Sequence, residues 1–398
     1  MKASRWSILA LILTAQTVAN VGPMGLPAIA PFIRQDLGLS LAQAGSFISA
    51  YYVGPILMSL PAGWLADRWG ILLTMTTGQA LIALGLAAAG WAGSFPVLIA
   101  LMIGAGVGYG LLNPTSTKAV IAWFPLTQRA TAVGLKQTGL PLGGAVGAAV
   151  LPLVALGVGW RNAVMLSAVG VGLLTVATPF LYQDPADLPR PAPGAPAPSM
   201  WSVLQSRDLW MVACATLIFA AMQTVWQSFL VLYLQDVVGL SVLTAAWYLA
   251  QAQAMGMVGR VAFGLLSDRT FGGRRLIVLF LAGTASGLCS LVMAGVAQGS
   301  SPWLLSALAL TFGFVGIGWN GVQHTLIAEL AGPRSAGTAV GFGLAISSLG
   351  VALGPPTFGW VVERFGGYRV AWMTLAGSMA LSLALLSFVR EDRRLYDR

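Results

Sequence analysis

Gly63-Trp-Leu-Ala-Asp67-Arg68-Trp-Gly70 decides the fold, because its core returns as Gly264-Leu-Leu-Ser-Asp268-Arg269, 201 residues on. Both copies are short polar interruptions between long apolar runs. Working outward, further likenesses follow in chain order. Ala130-Thr-Ala-Val-Gly134 returns as Gly337-Thr-Ala-Val-Gly341 at an offset of 207. At the same offset Gly143 and Gly147 match Gly350 and Gly354, Asn113 matches Asn320, and Gln16-Thr17-Val18 matches Gln223-Thr224-Val225. A single coincidence would carry nothing; an ordered set across both halves reads as a duplication.

The runs around these turns define the class. Of the 398 residues, 57% are hydrophobic and 8% charged, against roughly 25% charged in an ordinary soluble domain. So little charge cannot coat a soluble chain, and so much apolar side chain excludes a disordered one. Apolar stretches fall near 6–33, 40–66, 72–92, 96–123, 130–157, 162–182, 208–235, 241–266, 276–297, 303–330, 337–362 and 370–390. In hydrocarbon every backbone amide needs an internal partner, so runs of this length must be helices.

The predicted fold is therefore an all-α membrane protein of twelve transmembrane helices in two six-helix bundles. The bundles are 1–182 and 208–398, joined by a cytoplasmic Pro-rich linker over 183–207, where Pro density forbids a helix. Parallel repeats of this kind form transporters with a site near the bilayer midplane. The formal charge is +9, from 21 Lys and Arg against 12 Asp and Glu. With both termini cytoplasmic, fifteen of these cations fall on the cytoplasmic side and four outside, as the positive-inside rule requires. Nucleic acid is not needed to explain them. The first apolar run is longer than the core of a secretory signal, so it is read as the first span. The expected location is the plasma (inner) membrane, multi-pass. Cys214 and Cys289 form neither a disulfide framework nor a metal cluster, and no cofactor or metal is expected.

The Gly63–Gly70 turn, its duplicate and the central linker resemble the major facilitator superfamily, over nearly the whole chain. The resemblance implies a latch on the cytoplasmic side of the outward-open state, formed by Gly63, Asp67 and Arg68 with Gly264, Asp268, Arg269 and Arg274 of the trailing Arg274-Arg275 pair. Physically, Gly63 allows close helix approach, Asp67 is favoured near a helix N-terminus, and Arg68 can pair with carboxylates in one state and release them in another. In one departure, the basic pair usual after Gly70 is Ile71-Leu72 here. The competing reading is a tight polar turn and nothing more.

No Asp or Glu lies deep in a predicted span, which counts against a cationic drug. Two cations do. Arg260 is eight residues before Asp268 and Lys136 seven beyond Arg129, about 12 and 10 Å into their spans. An ionised side chain there costs roughly 2.5–3.5 kcal/mol on insertion scales and marks a function or a partner. Lys136 can also snorkel to the surface, and Arg260 can serve packing or bind a carbonyl. Gly259-Arg260-Val-Ala-Phe-Gly264 is similar to the span-eight arginine region of monocarboxylate and oxalate transporters, which implies that Arg260 binds a substrate carboxylate. A guanidinium fork suits that group.

Amides repeat at helical spacing: Gln16 and Asn20, Gln223 and Gln227, and Asn320 with Gln323 and His324, while Asn113 precedes Pro114. The resemblance places these spans around the cavity; interhelical hydrogen bonding is the other reading. His324, the one histidine, is the coupling candidate. Tyr52 and Trp226, with Tyr51, Tyr248 and Trp319, are candidate cavity aromatics. Gly316-Ile-Gly-Trp-Asn-Gly321 matches a dinucleotide pattern but has no strand before it, and no hydrolase or zinc motif is present.

The expected function is secondary active transport of a small organic anion, a monocarboxylate being the favoured case, by alternating access as a proton-coupled symporter. Arg260, Lys136, Asn113, Asn320, Gln16, Asn20, Gln223, Gln227, Trp226 and Tyr52 are the expected binding residues. The alternatives are an exporter of hydrophobic compounds and a non-transporting receptor. The expected partners are an anionic small molecule and membrane lipids, and the expected state is a monomer.

Overall fold

The computed structural model describes residues 4–58, 61–183, 203–332 and 335–391. The linker expected at 183–207 falls mostly outside them, as does Arg334. Sixteen α-helices fill the described residues, in chain order α1 Arg5–Leu37, α2 Leu41–Gly45, α3 Phe47–Met58, α4 Pro61–Trp69, α5 Ile71–Ala89, α6 Phe95–Trp123, α7 Leu126–Gln137, α8 Gly139–Val158 and α9 Trp160–Leu181. There follow α10 Arg207–Asp236, α11 Val242–Arg269, α12 Arg275–Met293, α13 Pro302–Phe312, a π-helical turn Gly313–Ile317, α14 Asn320–Ala331, α15 Ala336–Arg364 and α16 Tyr368–Ser387.

Ten of the helical runs are long and apolar enough to cross a membrane. The interrupted pair α3 and α4, and the 28-residue α11, fall short. In α11 the cause is polar content: Gln251, Gln253, Arg260, Asp268 and Arg269 all lie within it. Large side chains cover the outside, with Phe180 82% and Trp303 85% exposed. That inversion of a soluble surface suits lipid, with tryptophans such as Trp303 and Trp91 near helix ends where interfaces favour them.

The chain divides into two compact units, Met1–Ala195 with Ser241–Ala250, and Pro196–Leu240 with Gln251–Arg398. In the first, α1 lies along α8, and α6 packs on α3 and α5. In the second, α10 lies along α15 and α12 along α16. Glycines set these contacts. A Cβ at Gly143 would strike the Thr17 carbonyl and one at Gly147 the Val21 carbonyl; one at Gly350 would strike the Leu217 carbonyl.

These contacts correct the register of the duplication. If Gly143 corresponds to Gly350, then Thr17 corresponds to Leu217, an offset of 200 and not 207. Gln16-Thr17-Val18 and Gln223-Thr224-Val225 are thus not counterparts: they differ by seven residues, two helical turns, about 10 Å. Gly106 meets the Tyr51 carbonyl and Gly313 that of Ala252, 201 apart across α3 and α11, one residue more than between α1 and α10. The offset then widens twice, in turns. It reaches 204 where α5 starts at Ile71 and α12 at Arg275, and 207 where α6 starts at Phe95 and α13 at Pro302.

Candidate functional site

In the second unit the site grows from an irregular backbone. Gly256 and Gly259 of α11 face the π-helical turn so closely that a Cβ at Gly259 would overlap the Phe314 carbonyl, and one at Gly256 would come 2.5 Å from Ile317. The wider turn disturbs the regular ladder, and side chains take up the carbonyls at its end. The indole Nε1 of Trp319 donates to the Gly316 carbonyl at 3.1 Å. Asn320 Nδ2 donates to the Ile317 carbonyl at 3.2 Å, and Arg260 Nε reaches the same oxygen at 3.4 Å. Gln223 on α10 closes the cluster, its Oε1 accepting from Trp319 Nε1 and Asn320 Nδ2, each at 3.1 Å. Such π turns often mark functional sites, and non-helical backbone at membrane depth needs this kind of satisfaction.

Arg260, Asn320 and Gln223 are therefore brought together, with Arg260 half-buried. His324 lies one turn beyond Asn320 on α14, within electrostatic range of Arg260, and its Nδ1 is sealed from solvent with no partner among the described residues. Gln227 belongs elsewhere, donating to Gln253 at 3.1 Å. Trp226 does not line this cluster: it stacks on Phe312 at 4.0 Å and donates to Ser290 at 2.9 Å. With 1% of its surface exposed, it is a packing residue, which corrects its reading as a cavity aromatic.

In the first unit the same Asn takes a different partner. Lys136 is fully buried, and its Nζ donates to the Asn113 carbonyl at 2.8 Å, to Asn113 Oδ1, and to Thr117 Oγ1 at 2.9 Å. Three N–H protons meet three oxygens, all neutral. Lys136 therefore does not snorkel. A turn away on α6, Tyr109 accepts from Gln16 Nε2 at 2.8 Å, and Asn20 Nδ2 donates to the Gln16 carbonyl at 2.7 Å. Tyr51, Tyr52 and Tyr109 gather their rings within 5.3 to 6.3 Å. Gln16 Oε1, Asn20 Oδ1 and the Tyr51 hydroxyl are buried with no partner among the described residues.

The latch residues divide. Gly63 and Asp67 fall on α4, outside the described side chains, and Arg68 lies 5.3 Å from the ring of Trp64 on its own helix. In the second copy Arg275 makes the contacts: it pairs with Asp268, with Glu329 at 3.2 Å and with Ser267 Oγ at 2.8 Å. Arg269 and Arg274 are exposed and have no ion pair among the described residues, so the expected basic partner shifts by one residue to Arg275. Gly264 allows no close approach either, since a Cβ there meets nothing within 4 Å.

Sequence reasoning overlooked Tyr109 and Thr117. The signal was available, for they lie four residues before and after Asn113 on one face of α6. It also dismissed Gly316–Gly321, which spells out the end of the π turn.

A model of the Major Facilitator Superfamily matches residues 12–355. The chain belongs to this superfamily. It is a membrane transporter and not an enzyme. It is 29% identical to a probable sulfoacetate transporter of Cupriavidus necator, over 93% of this chain and 90% of that protein. It is 26% identical to a hexuronate transporter of Bacillus subtilis, over 96% and 94%. A crystal structure of the nucleoside transporter NupG superposes with a TM-score of 0.82, covering 96% of this chain and 100% of that one. At 13% identity that likeness is of fold alone.

Proposed function

We propose that this chain is a secondary active transporter carrying a small organic anion through twelve spans by alternating access, with Arg260 as the ligand of its carboxylate. On this reading α3 with α4, and α11, supply the two spans beyond the ten apolar helices. The protein works as a monomer in the plasma membrane with both termini cytoplasmic, and the Asp-Arg turns on that side act as its latch.

The observation that carries the reading is an imbalance of charge. Every described acid lies within three residues of a helix end or outside a helix. Lys136 and Arg260 lie within spans, and the Lys136 ammonium has only neutral oxygens around it. Interior positive charge without deep acid suits an anion and repels a cation. The relatives named for sulfoacetate and hexuronate add support, since both compounds carry a carboxylate.

Purified protein in liposomes tests this. Saturable uptake of labelled carboxylates should fall at least about 100-fold in Arg260→Ala, and Arg260→Lys should recover only part, because a point charge lacks the guanidinium fork. Equal uptake by Arg260→Ala and wild type would remove the anion site. A second reading, proton coupling through His324, rests on its Nδ1, sealed without a partner among the described residues. It requires uptake to respond to a pH gradient and His324→Gln to abolish that response.

A further inference from the structure

We infer that Gln223 is a second anion donor beside Arg260, and that with Asn320 it selects carboxylates bearing a hydroxyl on the adjacent carbon. The inference rests on the anion reading above and adds the substrate's chemical class.

Orientation carries it. An indole N–H can only donate, and the one Trp319 proton is shared between the Gly316 carbonyl and the Gln223 atom, each at 3.1 Å, so that atom must be the oxygen. The ambiguity that usually attends a carboxamide is absent here. That oxygen also accepts from Asn320, so the Gln223 Nε2 amino group must face the other way. It has no partner among the described residues, and it is not among their sealed, unsatisfied atoms. Two amide protons are thus presented to whatever enters.

The same logic fixes Asn320. Its Nδ2 donates to two acceptors, Gln223 Oε1 and the Ile317 carbonyl, so its Oδ1 points elsewhere, likewise outside the sealed set. Arg260 reaches the Ile317 oxygen as well. The Ile317 carbonyl therefore gathers the guanidinium and Asn320, which carries the outward acceptor, and Gln223, held on Asn320, supplies the outward donor. A carboxylate takes protons from Arg260 and Gln223. A hydroxyl beside it gives its proton to Asn320 Oδ1. A plain fatty acid leaves that acceptor unpaired.

The test uses detergent-purified full chain, with lactate and propionate as probes of the same length. Wild type should bind lactate about tenfold more tightly, the worth of one hydrogen bond. Gln223→Glu keeps an acceptor for Trp319 and Asn320 but turns a carboxylate oxygen towards the ligand. It should bind both acids at least about tenfold more weakly, with its melting temperature little changed. Asn320→Leu should erase the preference for lactate. Normal binding in Gln223→Glu, with binding lost in Arg260→Ala, overturns the donor assignment and leaves the anion reading intact. Normal binding in both variants sinks the anion reading itself. Equal affinities in wild type overturn the hydroxyl selection, a result that needs no variant to fold.

Discussion

Asn113 and Asn320 occupy corresponding places in the two units, yet they are engaged differently. Asn113 accepts from Lys136; Asn320 gives its protons to Gln223 and a backbone carbonyl. At the offset of 207 the counterpart of Lys136 is Gly343, and that of Thr117 is His324. At the offset of 200 the counterpart of Gln223 is Pro23. Duplication kept the helices and the asparagine, and the charged chemistry around it was built separately on each side. One unit holds a cation sealed among neutral oxygens; the other holds a half-buried cation at an opened backbone. A repeated fold does not imply a repeated site.

The comparison can be broken at Lys136. Lys136→Met makes the first unit resemble the second by removing its sealed charge. The buried charge costs folding energy, but its loss strands the three oxygens it satisfied. The two effects oppose, so the melting temperature should change little, while uptake of the anion falls about 100-fold. Unchanged uptake would make Lys136 a structural peg. Backbone contact is the next point of attack: Gly259→Ala forces α11 away from the π turn and should cost about 3 kcal/mol, the upper range for overpacking, visible as early thermal unfolding. Arg275→Ile gives the second unit the residue that starts α5 in the first. Glu329 then loses its pairing with Arg275, while Asp268, 61% exposed, loses little. A cost of about 1–2 kcal/mol follows. Gly264→Ala, with open space around it, should stay within about 0.5 kcal/mol. A larger drop would show that this turn packs against something in another state.

The helices and the doubling were legible in the sequence because hydrocarbon leaves the backbone no alternative to helix, and composition alone reports that. Glycine pairs such as Gly143–Gly147 also read true, since nothing larger fits where two backbones touch. Register did not. Gln16-Thr17-Val18 looked like the partner of Gln223-Thr224-Val225, but one extra residue before α11 and three-residue insertions before α12 and before α13 shifted the true pairing. Side-chain partners were equally hidden. The π turn and the neutral cage of Lys136 depend on which helix faces which, and that is three-dimensional information. Trp226 shows the converse: its residue type suits a cavity, and only packing reveals that Phe312 and Ser290 already occupy it.

Glu391 follows α16, and its carboxylate accepts from the backbone amides of Arg275 at 2.6 Å and Leu276 at 3.4 Å. It acts as a buckle, fastening the far end of one helix to the start of another whose first side chain already grips Asp268 and Glu329. Any movement that spreads this rim must undo several ionic clasps together, so its ease should depend on the salt content of the surrounding water.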